Sequence, residues 1–190
     1  MRRLAVLLSA LVLCPACSEP PQKEIDRAQG AIDAARAAGA ERYASTEFSA
    51  ATTSLQQAHD AVTQGDYRTA LSRALTANER AQEAARQAAD GKAKTRAEAE
   101  VGLTAATTAL QQLQTSIKAA EPRLPAAQLA PARAAVKRIE STLQETRAHI
   151  TAERYLEASA ALKHVIPTVN EQIRALTDGV SKARPQRKRR

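Results

Sequence analysis

Apolar residues recur at alternating steps of three and four along most of the chain. That spacing gathers them into one stripe on an α-helix and favours near-antiparallel packing against neighbouring helices. Ile25, Ala28, Ile32 and Ala35 predict a first helix from about Lys23 to Ala38, closed by Gly39. Phe48, Ala51, Leu55, Ala58 and Val62 predict a second, which Ser45 or Thr46 can cap and Gly65 ends. A third opens with Tyr67 and continues with Ala70, Ala74, Ala77, Ala81, Ala84 and Ala88. From Asp90 to Glu98 the stripe positions are polar. Two readings fit: a break at Asp90-Gly91-Lys92, or one solvated helix from Asp66 to about Ala120, because a lone glycine costs a helix only about 1 kcal/mol.

The pattern resumes with Leu103, Ala106, Leu110, Leu113, Ile117 and Ala120, and Pro122 and Pro125 mark a corner. Leu129, Ala132, Val136, Ile139, Leu143, Thr146 and Ile150 form the next stripe, and Tyr155, Ala158, Leu162, Val165, Val169, Ile173 and Leu176 the last. Pro167 falls within that last run and predicts a kink. Pro131 requires that its helix either starts nearby or bends in its first turns.

The turn Gly65-Asp66-Tyr67-Arg68-Thr69-Ala70 returns as Glu153-Arg154-Tyr155-Leu156-Glu157-Ala158, and the same offset of 88 residues lays Leu55 on Leu143 and Val62 on Ile150. Upstream, Tyr43 to Phe48 matches Leu124 to Leu129 at an offset of 81, so the second copy has gained seven residues. A heptad can be added to a coiled-coil-like helix without rotating its stripe. The chain therefore reads as a duplicated all-α unit: two tandem three-helix coiled-coil-like bundles over residues 23–90 and 91–178, joined by a break or by one long helix. Gly65, Asp66, Tyr67 and Tyr155 are read as structural turn residues. Asp66 is placed to cap the following helix, and the tyrosine ring to fill the hairpin corner with its hydroxyl outward.

Alanine dominates the 44% apolar fraction, and the four aromatic residues, Tyr43, Phe48, Tyr67 and Tyr155, all stand at landmarks of the repeat. The formal charge of +8 belongs to the termini: eight of the 28 basic residues lie there, and the other 20 balance the 20 acidic residues of the body. Six of the eight, Lys182, Arg184, Arg187, Lys188, Arg189 and Arg190, fall in a stretch over residues 179–190 that follows Gly179 and is expected to be disordered when free. They are candidates for binding an anionic envelope polymer or lipid surface; a solvated tail that aids solubility is the alternative. No nucleic-acid partner is expected from a neutral body.

Met1-Arg2-Arg3 and the uncharged run Leu4 to Leu13 read as a signal peptide, too short to span a bilayer stably. The segment Leu13-Cys14-Pro15-Ala16-Cys17-Ser18 resembles the lipobox of bacterial lipoproteins, with small Ala16 before the acceptor Cys17 and Cys14 where that pattern favours leucine. Taking Cys14 as acceptor would put bulky Leu13 at the cleavage site, and an ordinary cleaved signal peptide is a further reading. Residues 18–22 then form a polar linker after a 1–17 leader, and the body beyond position 17 contains no cysteine for disulfides or metal thiolates. By the same resemblance, Ser18 in place of aspartate favours the outer over the inner membrane.

The Tyr43-Ala44 segment and the Gly65-Asp66-Tyr67-x-x-Ala70 turn resemble an uncharacterised family of exported, alanine-rich bacterial helical lipoprotein domains, the domain of unknown function 4398. The resemblance covers Ala31 to about Ala89 and implies an envelope protein without supplying catalytic residues. The turn is also similar to tetratricopeptide hairpins, but their 34-residue period is missing.

His59, His149 and His164 share no metal-ligand spacing, and the carboxylate pairs Glu140 with Glu145 and Asp60 with Asp66 lie on charged helical faces. No phosphate loop or nucleophile elbow occurs. No enzymatic activity, metal or cofactor is expected. The expectation is a lipid-anchored, periplasm-facing envelope lipoprotein that works as a structural or protein-interaction module. Its partners would be the membrane and another envelope protein or an anionic polymer, with oligomeric state left open.

Overall fold

The computed structural model describes residues 19–183; the expected leader with Cys17, and Arg184, Arg187, Lys188, Arg189 and Arg190 of the basic stretch, lie outside the described residues. Among the described residues there are seven helices and no strand: α1 (Gln22–Ala37), α2 (Ala40–Tyr43), α3 (Ser45–Thr63), α4 (Tyr67–Ala120), α5 (Ala126–Thr151), α6 (Tyr155–Leu162) and α7 (Val165–Ala183). The fold is all-α, as the periodicity predicts. Two compact units divide between Gln87 and Ala88. The first contains α1, α2, α3 and the opening part of α4, and the second the remainder of α4 with α5, α6 and α7. Helix α4 continues through Asp90-Gly91-Lys92 without a break. Alanine-rich flanks supply enough helix propensity to outweigh one glycine.

In the first unit Ile25, Ile32, Phe48 and Leu55 are buried among alanines, and Ala70, Ala74, Ala77, Ala81 and Ala84 of α4 are each 0% exposed. A methyl group covers little area, so complete burial of such a stripe requires close approach along its whole length. Arg80 of α4 reaches Glu47 of α3 at 3.2 Å across this packing. The stripe of α3 drifts from the expected line: Ser54 and Ala61 are buried and Val62 is half-buried. The Ser54 hydroxyl is satisfied locally, donating to the Ala50 carbonyl at 2.8 Å.

The second unit has the larger side chains. Leu110, Leu113 and Ile117 of α4 meet Leu129, Ile139 and Leu143 of α5 and Leu162, Val165, Val169 and Leu176 of α6 and α7 in one buried cluster. Thr146, at 0% exposure, donates its hydroxyl to the Thr142 carbonyl at 2.8 Å. Helix α5 has 26 residues against 19 in α3. It begins 81 positions after α3 begins and ends 88 positions after α3 ends. The backbone bonds before the two helices share the first offset: Arg42 and Tyr43 donate to Gly39, and Arg123 and Leu124 to Ala120.

Two expectations are corrected, on the cap of α3 and on the end of the last helix. Neither Ser45 nor Thr46 caps α3. The single turn α2 delivers the chain to Ala44, which holds the N-cap position without a side-chain bond and accepts from the Phe48 amide at 3.0 Å. The run in which Pro167 predicts a kink is divided in two, since α6 stops at Leu162 and α7 starts at Val165. Pro167 has no amide hydrogen to give the carbonyl four residues back, at Lys163, so the regular helical bonding lapses there although Lys163 keeps a right-handed helical backbone. Helix α5 begins at Ala126 behind Pro125 and holds Pro131 within its first two turns.

Gly179, finally, does not end the last helix, which extends to Ala183 and carries Lys182. A Cβ at Gly179 would meet Leu124 Cδ1 at 3.2 Å, so this glycine permits a close contact with a buried leucine.

Two glycines separate backbone strain from helix propensity. Gly65 has φ +74°, and an alanine there is expected to cost about 1 kcal/mol or more of stability. Gly30 lies inside α1 with nothing within 4 Å of an added Cβ, so Gly30→Ala is expected to stabilise by about 1 kcal/mol. Urea unfolding followed by circular dichroism measures both, and equal effects of the two substitutions would contradict this assignment.

Candidate functional site

The turn between α3 and α4 is a Schellman motif: the Gly65 amide donates to the Val62 carbonyl at 3.0 Å and the Asp66 amide to Ala61 at 2.9 Å. Asp66 then caps α4, its Oδ1 accepting from the Thr69 amide at 3.0 Å. Hydrogen bonds from the Thr69 side chain, and then from its backbone, hold the Asp66 carboxyl below the usual carboxylate range. The Tyr67 ring is half-buried beside it.

The turn between α5 and α6 repeats these bonds 88 positions later, Glu153 donating to Ile150 at 3.0 Å and Arg154 to His149 at 2.8 Å. Its chemistry differs. Glu153 occupies the left-handed position at φ 57°, where Gly65 stands in the first turn. Arg154 makes no side-chain cap, and Tyr155 is buried, at 6% exposure. Lys92 Nζ lies 2.6 Å from Glu153 Oε2, tying this corner to α4. That hydrogen bond, with the charges of Lys92 and Arg96, holds the Glu153 carboxyl below its ordinary range.

The remaining candidates are scattered. His59 and His164 are exposed, and His149 is half-buried with Nε2 3.5 Å from Glu145 and an unpartnered Nδ1. Asp60 and Asp66 do line one shallow depression with Arg73, but Asp66 is engaged as a cap and Asp60 accepts from Gln56 at 2.9 Å. Glu140 accepts from Gln114 at 3.1 Å, away from Glu145. Among the described residues no group of three His, Cys, Asp or Glu could hold a metal ion, and no helix is long and apolar enough to cross a membrane. Lys182 is exposed in the last turn of α7.

Two grooves in the second unit escape sequence reasoning. One, of about 470 Å³, lies between α5 and the α6–α7 break; the other, of about 500 Å³, lies between α4 and α5 over Ile117 and Val136, with Lys118 and Lys137 on its rim. Pro167 was the one available signal for the first, since a helix interruption exposes its neighbour's flank.

The family model for the domain of unknown function DUF4398 matches residues 23–100, which takes in nearly all of α1, then α2, α3 and α4 as far as Glu100. Comparison with curated proteins and with solved structures finds no match.

At neutral pH, Asp66→Ala is expected to lower the unfolding midpoint while Asp66→Asn, which keeps an acceptor, retains most of it. The folded pKa of Asp66 lies below the unfolded one, so its contribution is complete above the unfolded value near 4 and is lost as pH falls through the lower folded value. The gap between the parent protein and Asp66→Ala should therefore hold steady from neutral pH down to about 5 and shrink below about 4. A gap that widens on acidification would contradict the capping role.

Proposed function

We propose that this protein is a membrane-anchored envelope lipoprotein, a structural or protein-interaction module that works through helix faces. The carrying observation is the segment Leu13 to Ser18: an apolar run, small Ala16, Cys17, and then a polar linker leading into a helical body. Acylation of Cys17 would tether the linker at the membrane, and the first helix starts at Gln22, a few residues beyond. The DUF4398 match over residues 23–100 is consistent with this reading and adds no activity to it.

The helical body is also proposed to be a duplication. Support comes from the two Schellman turns at an offset of 88, the shared backbone bonds at an offset of 81, and the seven-residue difference between α3 and α5.

A second reading rests on a separate observation, the six basic residues from Lys182 to Arg190, which stand out against a charge-balanced body. They would bind cell-wall polymer, lipopolysaccharide or anionic lipid. Each such residue near an anionic surface contributes roughly 1 kcal/mol at most, so six together could reinforce a lipid anchor.

Two measurements separate the readings. Cys17→Ser should move the protein from the membrane fraction to the soluble fraction and abolish labelling by a fatty-acid probe; retention of both would sink the anchor. Protein lacking residues 1–17 should bind anionic vesicles with an affinity that falls steeply with salt. Equal binding at low salt after removal of residues 183–190 would exclude the basic stretch as a polyanion site.

A further inference from the structure

The interruption between α6 and α7 shapes the surface beside it. Helix α5 is continuous opposite Lys163 and His164, while its neighbour stops at Leu162 and restarts at Val165. The groove of about 470 Å³ left between them has Ile139 and Val165 as its apolar floor. Arg138 of α5 and Glu171 of α7 stand in its walls with Thr142 and Thr168. Neither charge makes an ion pair among the described residues, so opposite charges from two different helices face one groove without neutralising each other. The Thr142 hydroxyl donates to the Arg138 carbonyl at 3.1 Å and keeps its oxygen lone pairs as acceptors.

We propose that this groove binds a short peptide with free termini, its carboxylate on Arg138 and its ammonium on Glu171. A guanidinium takes a carboxylate in a two-pronged bond, and a carboxylate takes an ammonium; each is a charge-assisted hydrogen bond of the stronger class. The threonine hydroxyls suit peptide amides, and the floor of Ile139 and Val165 suits small apolar side chains. A simple anion would leave Glu171 opposed to it, and a simple cation would leave Arg138 opposed. A dipolar ligand satisfies both walls. The volume falls within the range of small-molecule sites, roughly 300–1,000 Å³.

The test is a titration of the full chain with trialanine, read by the NMR shifts of the Ile139 and Val165 methyl groups. Saturable shifts are expected, with a dissociation constant on the order of 1 mM or below. N-acetyl-trialanine amide, which lacks both terminal charges, should bind about tenfold more weakly or worse. Arg138→Gln and Glu171→Gln should each weaken trialanine by about tenfold with unchanged circular dichroism. The reversed pair, Arg138→Glu with Glu171→Arg, should restore binding, because the peptide can lie in the opposite direction. Absence of saturable shifts, equal binding of the blocked peptide, or indifference to both single substitutions would each overturn the proposal.

Discussion

An alanine covers a helix face with one methyl group, so a bundle seamed by alanine holds only where backbones approach closely along the whole stripe. The first unit depends on this. From Ala70 to Ala84 the inward face of α4 is alanine at every stripe position, and every one is fully buried. With so little area per residue, the ends of the helices must fix the register that the seam itself fixes weakly. The left-handed glycines, Gly39 and Gly65, and the Asp66 cap do so. The second unit relies on larger side chains. Its leucine, isoleucine and valine cluster tolerates departures that the first unit shows nowhere among its described residues: a non-glycine at φ 57° in Glu153 and a final helix divided at Lys163 and His164.

The stripes were legible because a three-four pattern dictates burial almost residue by residue. All five stripe positions on α4 from Ala70 to Ala84, and Leu113, Leu143 and Val169, are buried as their spacing predicts. Gly65 and Asp66 were legible because φ above zero and an N-terminal carboxylate each narrow the choice of residue. Gly179 misled for the converse reason. A glycine can mark a helix end or admit a neighbour, and only the position of Leu124 over it decides which. Sequence could not show that Ala44 precedes α3 in place of a capping hydroxyl, since the turn α2 sets that entry through backbone bonds to Gly39 and Ala40.

The candidate sites were less visible than the fold. Pro167 announced a disturbance in the last helix, but the groove beside it needs α5 as a second wall, and that pairing is tertiary. Arg138 and Glu171 look like ordinary surface charges in a chain whose exposed ion pairs, such as Arg36 with Asp33, contribute little. What distinguishes them is that they share a groove and do not pair. The proposed lipid on Cys17 and the proposed basic contact near the other end rest on sequence chemistry, and the bundles between them would act as the spacer and interaction surface.

The central physical claim is that the alanine seam of the first unit is close-packed, not loosely filled. Ala77→Leu measures it directly, because Ala77 is 0% exposed in the middle of the stripe. In a close-packed seam the added methylenes have no room, and urea unfolding of the first unit should show a loss of about 1–3 kcal/mol. In a loose seam the same substitution would add buried apolar area, and a gain in stability would contradict the account.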